Sequence, residues 1–329
     1  MQDQLRWHFQ PSGSLSPKYF VLRGPMMKCR VGLVATVSLS LGLALTACGG
    51  GGVSSTPSPA PGPTPTPATY ESFDATLAKP GDKSFQTAGV SWQGQVGGDG
   101  GTPRAFPLGD ELKIEFLDAD DTYRVTPKGG TSYIFGPAFS EYNDHTQYVS
   151  NQGDWRYQFE IDIPKVNNVP LSYTRFATLT LTEQQNLIYT RYRTVWGIPT
   201  QNTDLPKSGT ADYALSLIGS ASHDGVSYSL GKYSAGTLSA NFSTGAISTN
   251  LTFSADIDGA ATPLGTVSGD GTITSGTSGF SGALAGSDAG TGVFGGGFFG
   301  PQAEEVGYAW SYDGPDMQSS QGFAAGSKH

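Results

Sequence analysis

The sequence predicts an all-β chain in which a small β domain precedes an eight-stranded antiparallel up-and-down β-barrel, the whole carried on a flexible stalk. Three observations predict it. Apolar and polar residues alternate in runs such as Leu112-Lys113-Ile114-Glu115-Phe116 and Thr237-Leu238-Ser239-Ala240-Asn241-Phe242, the period of a strand with one buried face. Glycine-bearing turns recur at roughly the 8 to 12 residue spacing of a meander. Composition shifts at residue 205, after which Arg disappears and Gly, Ser, Thr and Ala dominate.

The first element is a leader. Residues 31–47 carry no charge, are rich in Leu, Val, Ala and Gly, and follow Lys28 and Arg30. Basic, apolar and small residues in that order mark a secretory signal, and the apolar run is shorter than the about 20 residues that span a bilayer. It ends in Leu45-Thr46-Ala47-Cys48 and four glycines, a bacterial lipobox, so Cys48 is expected to become the lipidated first residue of the mature protein. Residues 1–25 precede Met26-Met27 without helical or strand period and are read as an over-long start.

Removing residues 1–47 takes away five of 19 basic residues (Arg6, Lys18, Arg23, Lys28, Arg30) and one of 28 acids (Asp3), leaving 14 − 27 = −13. A surface this acidic repels phosphate backbones, which excludes nucleic acid as a partner. Cys29 leaves with the leader, and an acylated Cys48 leaves no thiol for a disulfide, a metal site or a nucleophile.

Residues 48–69 read as a stalk. Gly and Ser come first, then alternating Pro and Thr, with no charge. Such a tether is flexible at the glycines and extended further on, at about 3 Å per residue.

Residues 70–204 form the first β domain and hold eleven Lys and Arg. Residues 112–116, 156–163 and 176–181 read as strands, and residues 181–187 are the one stretch friendly to a helix. Residues 205–329 read as the barrel. Tyr213, Leu215 and Leu217 share one face, as do Leu238, Ala240 and Phe242, and residues 247–255 put their apolar side chains on odd numbers. Turns are expected at 243–245, 258–259, 269–271 and 288–290. About eight strands fit in 125 residues, the size of a closed barrel filled by side chains, with an open sandwich as the alternative. A transmembrane barrel needs an apolar exterior, and here one face is Ser, Thr, Asn and Gly.

Three segments carry a family resemblance. Leu205-Pro206-Lys207-Ser208-Gly209-Thr210-Ala211-Asp212-Tyr213, then Gly295-Gly296-Gly297-Phe298-Phe299-Gly300-Pro301-Gln302-Ala303-Glu304-Glu305-Val306-Gly307, and the final Gly322-Phe323-Ala324-Ala325-Gly326 resemble the β-barrel domain of transferrin-binding protein B-like surface lipoproteins. The first and last segments match the opening and closing strands. Residues 189–197 look like the end of the handle domain that precedes the barrel in such lobes. The resemblance implies one handle-plus-barrel lobe, where transferrin receptors have two. It implies a non-catalytic outer-membrane surface lipoprotein that captures a host protein or a metal- or haem-type solute, with an iron or haem carrier as partner. A TonB-dependent channel and a surface-lipoprotein translocon are the further partners it implies. An adhesin or immune-evasion protein with no nutrient role is the alternative, and a glycan-active enzyme the second.

Local chemistry gives these motifs a physical reading of their own. Gly300-Pro301 stops a strand, residues 302–305 can form one helical turn, and Val306, Tyr308, Trp310 and Tyr312 share a face as core packing. No catalytic, metal or cofactor site emerges. His145 and His223 have no second His or Cys at ligand spacing. Asp118-Ala119-Asp120-Asp121 has Gly129 where a calcium loop needs its closing Glu, so it reads as a solvated turn. Residues 290–300 are strand and turn glycines, without the helix a dinucleotide fingerprint requires. The handle is the favoured binding region because it concentrates Arg and aromatics, namely Trp92, Tyr133, Phe135, Trp155, Arg156, Tyr157, Arg175, Arg191, Arg193 and Trp196. The sequence selects no ligand-binding set among them.

Overall fold

In the computed structural model the described residues are 69–96, 101–142, 145–315 and 317–328. Cys48, with the leader and most of the stalk, lies outside the described residues. A short helix opens the described chain: α1 (Phe73–Leu77), capped by Ser72, whose Oγ accepts the Ala75 N–H at 3.2 Å. Sequence reasoning missed this helix, although Ser72 followed by Asp74 is a start signal.

The first sheet is built from β1 (Lys83–Gln95), β2 (Arg104–Phe106), β3 (Leu112–Leu117), β4 (Thr122–Pro127), β5 (Tyr133–Phe135), β6 (Ser140–Tyr142), β7 (His145–Gln152) and β8 (Trp155–Asp162), with a separate small hairpin β9 (Lys165–Val166) and β10 (Val169–Pro170), and then β11 (Thr174–Glu183) and β12 (Ile188–Gly197). Its order is β5-β4-β3-β1-β12-β11-β8-β7-β6, and β2 also pairs with β1. One core packs inside its curl, where the Phe73, Phe85 and Trp196 rings lie 5.0–5.3 Å apart. The stretch at 181–187 is not a helix: β11 runs through it to Glu183 and a hairpin turn leads into β12. Pairing with β12 on one side and β8 on the other satisfies the backbone that a helix would otherwise have to satisfy.

The second sheet comprises β13 (Thr210–His223), β14 (Val226–Leu230), β15 (Ala235–Asn241), β16 (Ala246–Ile257), β17 (Ala260–Ile273), β18 (Gly279–Gly286), β19 (Thr291–Phe299), β20 (Glu305–Asp313) and β21 (Met317–Lys328). β13 pairs with β21 over eleven residue pairs, which closes the sheet into an antiparallel barrel. β14 and β15 occupy one strand position, since β14 pairs with residues 219–223 of β13 and β15 with residues 210–216. The barrel therefore has eight strand positions in up-and-down order, as the alternation predicts.

The interior is filled. Tyr213, Leu238, Leu251, Phe253, Phe280, Phe294, Tyr308 and Trp310 are all buried in one cluster. Phe253 and Trp310 stack at 5.8 Å. The turn expected at 269–271 is instead the middle of β17. A Cβ on Gly271 would lie 2.9 Å from the Phe294 ring, and one on Gly282 of the neighbouring strand 2.5 Å from it. These glycines make room for an aromatic ring inside the barrel, which is why turn-like residues occur in mid-strand.

Residues 302–305 do not form a helical turn with the acids near its start. A single 3₁₀ turn covers Pro301–Ala303, Gln302 and Ala303 have φ of 50° and 58°, and Glu305 already belongs to β20. That carboxylate is 4% exposed and reaches across to the first sheet. It accepts the Ser172 N–H at 2.6 Å, the Tyr173 N–H at 3.0 Å and the Thr174 hydroxyl at 2.8 Å.

The two sheets thus share a seam, whose core joins Ala88, Val90, Phe176 and Val195 of the first sheet to Phe299, Ala309 and Phe323 on the outer wall of the barrel. Phe176 stacks on Phe323 at 4.6 Å. Glycines let the layers approach: a Cβ on Gly295 would sit 2.3 Å from the Gly89 carbonyl oxygen, and one on Gly307 2.8 Å from Val195. Burial on both faces explains why residues 305–312 are continuously buried.

Candidate functional site

Strand register lays out one face of the handle sheet as a grid. Trp92, Arg191, Thr180, Gln158 and Val149 form one row across β1, β12, β11, β8 and β7. The next row is Val90, Arg193, Thr178, Glu160 and Gln147, and the third is Ala88, Val195, Phe176, Asp162 and His145. Because side chains alternate across a strand, all fifteen point to the same side, the side whose apolar members Ala88, Val90, Phe176 and Val195 lie in the seam with the barrel.

The first row borders open space, although Trp92 and Thr180 are themselves buried. Gln95, Val96, Gln158, Thr180, Thr182, Tyr189 and Arg191 line a cavity of about 380 Å³. The Arg191 guanidinium sits 5.1 Å from the Tyr189 ring centre and 5.9 Å from that of Trp92, and its Nε donates to Thr180 Oγ1 at 3.1 Å. Trp92 Nε1 donates to the Tyr189 hydroxyl at 3.4 Å. Two rings and one hydroxyl thereby fix a planar cation at the wall of a water-accessible space, a geometry suited to bidentate recognition of a carboxylate.

Deeper in, charge becomes costly. Arg193 lies 5.5 Å over the Phe323 ring, and its Nε is shut off from solvent without a hydrogen-bond partner among the described residues. Burial, with Arg191 beside it, pulls its pKa down to about 10. Gln147 Nε2 donates to Glu160 at 2.8 Å, and His145 Nδ1 is 2.7 Å from Asp162. Burial raises the Asp162 pKa, partly offset by that histidine. The face therefore carries a cationic strand, β12, and an acidic one, β8, on either side of the neutral Thr178 and Thr180 of β11. A second opening, of about 520 Å³, lies between residues 163–168 of the handle and residues 214–218 and 231–236 of the barrel, with Lys165 and Lys232 on it.

Of the handle residues singled out from sequence, the structure brings together Trp92, Arg191 and Arg193. Trp196, Phe135 and Tyr157 are core. Arg175 is buried, 2.7 Å from Asp74 and 4.5 Å over the Phe73 ring, where it holds α1 to the sheet. Trp155 and Arg156 are exposed at the β7–β8 hairpin, Trp155 stacking on Tyr157 at 6.2 Å and Tyr133 lying 4.6 Å from Tyr157. Tyr189, Thr180 and Gln158 were not singled out. For Gln158 and Thr180 the one sequence signal is the alternation of polar residues on β8 and β11, and for Tyr189 its shared parity with Arg191 and Arg193 on β12, which show a common face but not what opposes it.

His145 pairs with Asp162 and His223 lies 3.7 Å from Asp224, and among the described residues no group of three His, Cys, Asp or Glu is arranged to hold a metal. Asp118 accepts the Gly81 N–H at 2.8 Å, tying two turns together.

No protein-family model matches the sequence, and no curated protein matches it. The chain is similar to several solved structures. One is transferrin binding protein B from Haemophilus parasuis, at 13% identity and a TM-score of 0.36, covering 74% of this chain and 76% of that one. Another is the isotype 1 transferrin binding protein B of serogroup B Neisseria meningitidis, at 18% and 0.39, covering 73% of this chain and 43% of that one. A third is HpuA from Kingella denitrificans in complex with human haemoglobin, at 14% and 0.38, covering 75% and 87%.

Proposed function

We propose that this chain is a lipid-anchored binding protein of the outer membrane that captures a host protein, or the metal- or haem-type solute such a protein carries, and performs no chemistry on it. The single observation that carries the reading is Arg191, held between Trp92 and Tyr189 at the wall of an open cavity. Arg and aromatic residues fixed in this way anchor interfaces because little conformational freedom remains to be lost on binding. Glu305 and the glycine seam support it further, since they dock the handle on the barrel and hold that face in place. The lipobox at Cys48 and the resemblance of residues 205–213, 295–307 and 322–326 support the proposed surface location and partner class. A TonB-dependent channel and a surface-lipoprotein translocon belong to the proposal as co-workers.

The test is binding of transferrin, lactoferrin, haemoglobin and haemin to the immobilised full-length chain. Saturable binding of one of them, lost in Arg191→Ala, is the expected result. Absence of binding for all four, with the chain folded, removes the host-carrier reading.

A further inference from the structure

Away from the cleft, the handle holds a second cavity, of about 610 Å³, between the end of α1, the β3–β4 turn and strands β6 and β7. Three rings form its wall. Phe116 and Tyr123 lie 5.3 Å apart at 56°, and Tyr148 stands 5.6 Å from Tyr123 at 67°. Asp120, Asp121 and Glu141 stand on its rim, and among the described residues no Lys, Arg or His lines it. Tyr123 is 8% exposed, yet neither its hydroxyl nor that of Tyr148 makes a hydrogen bond among the described residues. Thr122 Oγ1, in the same lining, is shut off from solvent without a partner. Burial, then Glu141 and Asp121, push the Tyr148 hydroxyl up to about 12, so the field of both carboxylates falls on that ring.

We propose that this cavity binds an organic cation, an alkylammonium or guanidinium group, seated against the Tyr123 and Tyr148 rings with Asp121 and Glu141 beside it. The negative faces of aromatic rings attract a cation, and carboxylates without a fixed counter-ion complete the complement. Two tyrosine hydroxyls without internal partners supply acceptors for its N–H groups. An anion is repelled here, and an apolar ligand would desolvate three carboxylates without return. A metal ion lacks its ligand set, because among the described residues no three His, Cys, Asp or Glu side chains are grouped to hold one. The cation could be a free amine or a side chain of a protein partner. Phe139 and Tyr142, 71% and 74% exposed and next to the lining residues Ala138 and Glu141, offer the apolar contact a protein partner would cover.

The experiment is calorimetric titration of the full-length chain in detergent with agmatine, with spermidine, and with a lysine-containing hexapeptide and its acetyl-lysine counterpart. Saturable binding of a small amine identifies a free-solute source, and binding of the lysine peptide alone identifies a protein source. Asp121 and Glu141 are exposed, so Asp121→Asn with Glu141→Gln should leave melting unchanged and weaken binding about tenfold, and Tyr148→Leu should weaken it about fivefold, while Tyr148→Phe, which keeps the ring face and loses one hydroxyl acceptor, should weaken it less than Tyr148→Leu does. Arg191→Ala should have no effect, which keeps this site independent of the cleft. The proposal is overturned if no cationic probe binds, if the acetyl-lysine peptide binds equally well, if the double variant binds as the parent does, or if Arg191→Ala abolishes binding.

Discussion

Glu305 Oε1 accepts the Ser172 N–H at 2.6 Å across 133 residues of sequence, joining the first strand residue after the Gly-Phe-Phe-Gly-Pro segment of the barrel to the start of β11 in the handle. The contact explains why an acid occurs where a barrel wall would otherwise be neutral. Two backbone N–H groups and a hydroxyl converge on it, and without it those donors would be buried unpaired.

Glu305→Ala is expected to destabilise the protein by about 3 kcal/mol through these stranded donors, read as a shift in the urea midpoint. The pH dependence has a definite sign. Burial outweighs the hydrogen bonds and raises the Glu305 pKa above the usual 4.5, so the folded state holds the proton more tightly than the unfolded one. The Glu305 contribution to stability therefore falls as pH rises from about 4.5 through the raised folded value. Glu305→Gln should flatten that part of the stability curve.

Gly295→Ala is expected to open the seam, because the new Cβ would lie 2.3 Å from the Gly89 carbonyl oxygen. A loss of about 1–3 kcal/mol, the usual range for overpacking, should come with new proteolytic cleavage between the sheets, at residues 198–209. Gly153→Ala is the control. It has φ of 59° and nothing within 4 Å, so it should cost about 1 kcal/mol of backbone strain and leave the seam closed.

Arg193→Met should be neutral or stabilising, by up to about 1–2 kcal/mol, since it removes a buried charge and keeps an apolar stem over Phe323. Thermal melting decides this. A large loss would mean that the charges of Glu160 and Asp162, which favour the guanidinium, outweigh its burial.

Trp310→Ala should cost about 3–5 kcal/mol, because it empties the barrel beside Phe253 and removes the donor to Ser320 Oγ at 3.2 Å. Denaturant unfolding measures it, and the handle signal from Trp196 should unfold in the same transition if the seam couples the two sheets.

Cys48→Ala should leave an unprocessed or soluble precursor. Membrane fractionation and metabolic labelling with a fatty acid check it, and a variant that still matures and stays membrane-bound would show that the anchor lies elsewhere.

Legibility differed between the two sheets for a physical reason. In residues 238–242 and 247–255 one face meets the barrel interior and the other meets water, so a period of two is written into the sequence. In β11 all eight residues from Thr174 to Leu181 are buried, because both sides of that strand are covered. The alternation there separates core from seam and polar face, and the sequence does not say which is which. The mid-strand glycines 269 and 271 misled for a related reason: the ring that needs their space, Phe294, comes from another strand.

The sequence by itself determined the strand content, the shift of composition near residue 205, the aromatic face of residues 306–312 and the lipobox expectation at Cys48, all of which depend on neighbours a few positions apart. Only the tertiary structure decided that Trp92 meets Tyr189, that Glu305 clamps Ser172, and that Asp121 and Glu141 share a cavity with Tyr148. Those pairings follow from strand register and from the packing of one sheet on another, which join residues far apart in the chain and leave no local period to read.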